Sequence, residues 1–407
     1  MIAVIPFATA SRHTGAMERP TAFPTDFDRT PFLVIWEATR ACALACVHCR
    51  ADAIPCRDPH ELTTPEAFAL IDQVRALGTP PPLFVLTGGD PMRRPDLAEL
   101  VRYAADAGLT VALTPSGTAA ATRARLAELK DAGLSRIAVS LDGPDAASHD
   151  AFRRVRGSYA WTMRIIESAI ELNLPLQINT TVSRITLPHL ESMARLMGEL
   201  PITLWAVFFL VQTGRGANLD QVSADECEAV LDYLYELSLT APFGIKTTEA
   251  PHYQRVIQQH ERAREAAGLP TLAVERRRQL RATRSVGDGN GFVFIDHVGN
   301  VCPSGFLPMT RGNVRTDSLA AVYREDPVFK GLRDADGLEG KCGRCEFRTT
   351  CGGSRSRAYA ATGSVMASDP LCGYVPAACA ETVPPSSALH AVSRPLTIPL
   401  RAVPTRT

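Results

Sequence analysis

The sequence predicts an α/β fold in which repeated βα units build a parallel sheet, with a smaller cysteine-rich unit after it. Three observations carry that expectation. From residue 32, short β-branched or apolar runs alternate with longer helical patterns. The clearest helical stretches each close at a glycine before the next strand. Residues able to do chemistry stand just after strands, where α/β folds collect their reactive groups.

A chain of 407 residues suits one large domain plus an appendage. Residues 1–30 read as an N-terminal arm without periodic pattern, and translation from Met17 in place of Met1 is an open alternative. Residues 31–215 hold six expected strands: FLVIWEAT (32–39), LFVLTGG (83–89), LTVALTP (109–115), RIAVSLDG (136–143), LQINTTV (176–182) and TLWAVFFL (203–210). Between the early strands lie PEAFALIDQVRALG, PDLAELVRYAADAG and TRARLAELKDAG, which end at Gly78, Gly108 and Gly133. Residues 216–285 read as a helical connection. Residues 286–376 open on GDGNGFVFIDHVGNVCPSG, a hairpin pattern with glycine turns. Residues 377–407, rich in Pro, Ser and Ala, read as a flexible tail.

The 43 basic and 43 acidic residues cancel, which argues against a phosphate backbone or an anionic membrane surface as partner. No apolar run approaches the ~18 residues of a membrane span, and the opening residues do not read as a signal peptide. A cytoplasmic protein is expected. Eleven cysteines in such a chain point to metal ligation more than to disulfides, because the compartment keeps thiols reduced.

Cys42-x3-Cys46-x2-Cys49 places three thiolates on the loop after the first strand. Three soft ligands satisfy three irons of a [4Fe-4S] cube and leave the fourth open. Structural zinc would need a fourth ligand, for which His48 is nearest but awkwardly placed between two of the cysteines.

This spacing, after the first strand of a βα series, resembles the signature of the radical S-adenosylmethionine superfamily. The resemblance implies a partial (β/α)6 TIM-like barrel. It also implies that the methionyl amine and carboxylate of S-adenosylmethionine chelate the open iron, and that one electron from the cluster yields a 5′-deoxyadenosyl radical that abstracts hydrogen from substrate. Gly88-Gly89-Asp90-Pro91 stands where the family has Gly-Gly-Glu-Pro, the turn that holds the methionyl amine, with Asp90 in place of the usual Glu. Thr114, Ser140, Asp142 and Asn179 stand where relatives contact ribose or the methionyl carboxylate. Arg153 stands where an arginine pairs with that carboxylate, Arg154 and Arg156 being alternatives. Thr114-Pro115-Ser116-Gly117 replaces a Thr-Asn-Gly found in some relatives.

Cys342-x2-Cys345-x5-Cys351, with Cys372 further on, supplies four thiolates and so a closed site, suited to an auxiliary [4Fe-4S] cluster or to zinc. The segment resembles the SPASM extension of radical S-adenosylmethionine enzymes, in its smaller SPASM/twitch-like form. A full SPASM domain carries seven cysteines. Here the one expected after Gly312 is absent and Arg355 stands in place of another, so one auxiliary cluster is expected and Cys302 is spare. Cys56, Cys227 and Cys379 read as structural or incidental.

GNGFVFIDHVGNVCPSGFLPMTRGNVR and KCGRCEFRTTCGGSRSRAYAATG resemble the tetrapyrrole-tailoring branch, which includes the haem d1 and alternative haem synthase proteins. A small-molecule substrate of tetrapyrrole type and a low-potential electron donor such as ferredoxin or flavodoxin follow from the resemblance. Arg344, Arg348, Arg355 and Arg357 are the candidate partners for propionates, and Trp205, Phe208, Phe209 and Phe306 the candidate aromatic walls. Two other readings stay open: a maturase of ribosomally made peptides, against which the lack of a patterned N-terminal recognition domain counts, and a non-catalytic iron-sulfur electron carrier or regulator.

Overall fold

The computed structural model describes residues 26–272 and 286–382; residues 1–25 of the arm, and the tail beyond 382, lie outside the described residues. In chain order the strands are β1 (Leu33–Glu37), β2 (Leu83–Thr87), β3 (Val111–Leu113), β4 (Leu134–Ser140), β5 (Leu176–Val182), β6 (Leu204–Phe209), β7 (Gly244–Thr248), β8 (Phe292–Ile295), β9 (Asn300–Cys302) and β10 (Gly312–Asn313). They form one sheet in the order β10-β9-β8-β1-β2-β3-β4-β5-β6-β7. From β1 to β7 every neighbouring pair is parallel, as repeated βα units require.

The helices α1 (Thr64–Arg75), α2 (Leu97–Asp106), α3 (Arg123–Asp131), α4 (Ala146–Arg153), α5 (Ser158–Glu171) and α6 (Leu190–Glu199) fall between the first six strands. Local chemistry sets their ends. Thr63 and Glu66 close a capping box on α1, with a proline in its first turn, and Gly133, at φ +106°, lets the chain leave α3 for β4. One face of the sheet packs under the helices. Ile137, Val139, Ile178, Trp205, Val207 and Phe209 are all buried there in a single apolar core. The Trp205 indole N–H donates to Thr180 Oγ1 at 2.9 Å, so its polar atom is satisfied inside that core.

From β1 to β7 the parallel array has seven strands in chain order, and β8 adds an eighth beside β1, where the sequence reading expected at least six. The extra strand, β7, lies in the stretch read as a helical connection, between α7 (Ala224–Thr240) and α8 (His252–Ala266). Its text, GIKTT, buries one residue, Ile245, so it lacks the apolar alternation that marks a strand.

The expected glycine hairpin is present as the antiparallel pair β8-β9. It does not stand apart: β8 runs parallel to β1 and covers its free edge, Leu33 opposite Phe292 and Trp36 opposite Ile295. The cysteine-rich unit therefore continues the barrel sheet and removes an exposed edge. Gln73 of α1 ties the two further, donating to the Val314 carbonyl at 3.0 Å and accepting from the Leu319 N–H at 2.8 Å.

Candidate functional site: two cysteine centres

The loop carrying Cys42, Cys46 and Cys49 rises from the carboxyl end of β1 and is held from two sides. From β2, the Gly88-Gly89 turn lies directly against it: the Gly89 and Asp90 N–H groups donate to the Thr39 and Ala41 carbonyls, both at 2.7 Å. A side chain at Gly89 would meet the Arg40 and Ala41 carbonyl oxygens at 2.5 and 2.6 Å, which explains the glycine by close approach. From β6, Arg215 donates its Nε to the Cys46 carbonyl at 3.0 Å and its Nη1 to the Ala53 carbonyl at 3.1 Å. Sequence reasoning missed Arg215; its signal was the Gly-Arg-Gly string just past a strand end.

The three thiols converge. Cys42 and Cys46 are buried with Leu44, and Cys49 packs against them. Burial pushes the Cys42 thiol up, while the Leu44 N–H at 3.3 Å from its sulfur and the Ser116 hydroxyl at 3.5 Å pull it down. Ser116 also donates to the Gly89 carbonyl at 2.5 Å, so the third strand's loop reads both the cysteine loop and the glycine turn. Arg153 Nη1 lies 3.5 Å from the Cys46 sulfur, and its Nη2 pairs with Asp142. Asp142 is fully buried and accepts the Thr181 N–H at 2.6 Å. Burial would raise its carboxyl, but Arg153 and nearby imidazoles hold it below the usual range.

His48 stacks on Phe152 at 4.3 Å between centroids. Burial and then the Arg153 charge lower its pKa to about 3. Its flat packing serves the loop's conformation. Among the described residues, no group of three His, Cys, Asp or Glu side chains closes on a point fit for one metal ion; a cube spreads its thiolates over separate irons. Three clustered thiols, two of them buried, with an N–H donor at the Cys42 sulfur and a guanidinium at the Cys46 sulfur, fit a cluster ligated on three corners.

Asp90 is fully buried, and its carboxylate is taken up by the chain: it accepts from Thr118 Oγ1 at 2.7 Å and from the N–H groups of Met92 at 3.2 Å and Ser116 at 3.4 Å. Thr114 follows β3, its N–H donating to the Leu86 carbonyl. Ser140 and Asn179 are register neighbours on the sheet face that the helices leave uncovered, and Gln177 Nε2 donates to Asn179 Oδ1 at 2.6 Å. All of these except Arg153 lie on or just after strands β2 to β5.

The second centre gathers Cys342, Cys345, Cys351 and Cys372 round one pocket, with Arg255 of α8 at its wall. None of the cysteines of the chain is in a disulfide. The Phe347 N–H lies 3.4 Å from the Cys345 sulfur and Arg355 Nη2 lies 3.7 Å from that of Cys342. Burial raises Cys351 and Cys345, and raises Cys372 to about 11; such thiols ionise only against a bound cation. Arg255 is anchored by Glu228 at 2.5 Å and lies 4.8 Å over the Tyr374 ring. Four soft ligands in a closed pocket fit an auxiliary cluster.

The arginines expected to meet propionates are otherwise engaged. Arg357 is buried against Asp369 at 3.0 Å and donates to the Glu249 carbonyl at 2.7 Å. Arg355 donates to the Val365 and Ala367 carbonyls at 2.9 and 2.7 Å, Arg348 pairs with Asp336 at 2.9 Å, and Arg344 Nε donates to the Gly340 carbonyl at 3.4 Å. Trp205 and Phe209 are core residues under the helices, and only Phe208 and Phe306 keep partial exposure. Cys302 is buried at the end of β9 and burial raises it to about 12; Cys227 lies in the core, and Cys56 is exposed.

Residues 36–197 match the model of the family described as "Radical SAM superfamily". The chain is 42% identical to the AdoMet-dependent heme synthase of Oleidesulfovibrio alaskensis, over 89% of this chain and 92% of that one. It is 40% identical to the protein of the same name from Methanosarcina barkeri, over 85% and 97%. Among solved structures, Streptococcus suis SuiB bound to its precursor peptide SuiA superposes with a TM-score of 0.63 at 15% identity, covering 85% of this chain and 76% of that one; at that identity the likeness is one of fold.

Proposed function

We propose, from the premise that this chain belongs to the radical S-adenosylmethionine superfamily, that its substrate is a tetrapyrrole and that it removes carboxyl groups from the propionate arms. The chain is an enzyme of the radical S-adenosylmethionine type, with a [4Fe-4S] cluster that binds S-adenosylmethionine and a second, auxiliary cluster. The observation that supports the substrate is the 42% identity to a heme synthase along 89% of the chain.

When bound, S-adenosylmethionine at the cluster supplies a 5′-deoxyadenosyl radical able to take hydrogen from an unactivated carbon. Cys42, Cys46 and Cys49 hold the first cluster, and Cys342, Cys345, Cys351 and Cys372 the second. The Leu44 N–H points at the Cys42 sulfur and the Arg153 guanidinium at that of Cys46, which tunes their electron density. We assign Gly88, Gly89, Asp90, Thr114, Ser140, Asp142 and Asn179 to the cofactor's surroundings, with Asp142 acting through Arg153. Burial of the cysteine loop under the glycine turn and Arg215 limits water at the reacting centre. A low-potential ferredoxin or flavodoxin is the proposed electron donor, and the cytoplasm the proposed compartment; no helix among the described residues is long and apolar enough to cross a membrane.

Anaerobic incubation of the reconstituted protein with reductant, S-adenosylmethionine and iron-coproporphyrin tests this. Two successive losses, each of one carbon dioxide plus two hydrogens, are expected, with 5′-deoxyadenosine formed. A porphyrin of unchanged mass beside accumulating 5′-deoxyadenosine would overturn the substrate.

A further inference from the structure

The sheet face that the helices leave uncovered carries two cations without a side-chain partner among the described residues. On β4, Arg136, Ala138 and Ser140 alternate with the buried Ile137 and Val139; on β7, Lys246 follows the buried Ile245. Arg136 is exposed and Lys246 partly so. Register links Ser140 to Asn179, Asn179 to Ala206 and Ala206 to Lys246. Lys246 thus stands in the same row as two residues assigned above to the cofactor's surroundings. Arg136 stands four residues before Ser140, about 13 Å back along the strand.

No hydrogen bond or ion pair to Arg136 or Lys246 exists among the described residues, and neither head group is sealed away as a partnerless buried atom. Four cations nearer the cysteine centres are committed: Arg50 to Glu37, Arg153 to Asp142, Arg215 to carbonyls, Arg357 to Asp369. Holding two positive charges on one face with no counter-charge among the described residues is unfavourable, since they repel each other and the half-buried Lys246 loses hydration. Burial first and then the Arg136 charge lower the Lys246 pKa to about 8. Between the two lie Ala138, Ala206 and the mutually bonded Gln177 and Asn179.

We propose that Arg136 and Lys246 bind carboxylate arms of the substrate, one anchor on each side of the uncovered face, and so select a polyanionic molecule over a neutral one of the same shape. The inference rests on the tetrapyrrole reading and adds to it the residues that recognise the arms. A guanidinium pairs with a carboxylate through two parallel hydrogen bonds, and an ammonium through a point charge. Each relieves a charge that the folded chain leaves uncompensated.

The test compares iron-coproporphyrin with its tetramethyl ester, titrated by absorbance into the reconstituted protein without reductant. The parent is expected to bind the acid at least roughly tenfold tighter than the ester, the scale of a charge-assisted pair. Arg136→Met and Lys246→Met are each expected to cut that preference several-fold, the double variant to abolish it, and Lys246→Arg to keep it. Because a variant that merely disturbs the fold weakens both ligands alike, the acid-to-ester ratio isolates recognition. An unchanged ratio in the double variant overturns the inference while leaving the substrate reading in place, and so does a parent that binds acid and ester equally. A parent that binds neither overturns both.

Discussion

Arg153 Nη1 lies 3.5 Å from the sulfur of Cys46, while its Nη2 pairs with the fully buried Asp142. The guanidinium thus spans from the end of α4 to the cysteine loop, and its charge is held by a carboxylate that makes no other ion pair among the described residues. Removing it leaves Asp142 buried and unpaired, a change that typically costs about 3 kcal/mol. Arg153→Ala is expected to lower the unfolding midpoint accordingly. It is also expected to shift the cluster to a lower reduction potential, because a positive hydrogen-bond donor to a cluster sulfur favours the reduced form. Arg153→Lys keeps the charge and is expected to recover much of the midpoint. An electrochemical titration showing the same potential in Arg153→Ala and the parent would separate this arginine from the cluster.

The two cysteine centres are expected to differ in what their loss does. Cys46→Ala removes one of three ligands at the open cluster, so formation of 5′-deoxyadenosine is expected to cease. Cys345→Ala strikes the four-thiolate pocket beside Arg255 and is expected to retain part of the cofactor cleavage while substrate turnover is lost. Iron analysis should show each variant short of about one cluster's iron. Cleavage by Cys46→Ala at the parent rate would refute the assignment of the first centre.

Gly89→Ala probes the contact between turn and loop. The added methyl would press on two backbone carbonyls at 2.5 and 2.6 Å, neither of which can rotate away as a side-chain tip could. Overpacking of this kind costs about 1–3 kcal/mol, and here the yielding part is the cysteine loop itself. The variant should fold less stably and take up less iron at the first centre than at the second. Equal iron at both centres would show that the turn does not support the loop.

Much of this architecture was legible because it is local. LQINTTV is strand β5 over the same residues, and the helices beginning after Thr63 and Thr122 start where their caps announce them. The cysteine spacings marked both centres because thiolates on one metal group must be close along the chain or brought together by it. What stayed hidden depends on distant pairing. GIKTT becomes a strand only because β6 offers an edge, and β8 joins β1 although the partners Leu33 and Phe292 lie far apart in the chain. The arginines of the second unit read in the sequence as candidate partners for propionates, and only packing reveals Arg357 locked to Asp369. Arg136 and Lys246 looked ordinary for the converse reason: the lack of a partner is a property of the folded face.

Acid should unfold the protein earlier than its carboxylates alone would. His149 is buried, and its Nδ1 accepts the Asp142 N–H at 3.2 Å, which fixes the neutral ring. Burial, and then the Arg153 charge, lower its pKa to about 4 against the pull of Asp142. The unfolded chain takes a proton near pH 6.5, so between that value and about 4 the unfolded state binds the proton and the native state does not. The contribution of this histidine is therefore complete above about pH 6.5 and declines as the pH falls, by about 3 kcal/mol at most. Urea unfolding of the parent at pH 7 and pH 4.5 should show that loss. His149→Gln offers an acceptor without a titrating ring and should flatten the difference by up to the same amount. If parent and variant lose stability equally between the two pH values, the buried imidazole is not what makes the fold acid-sensitive.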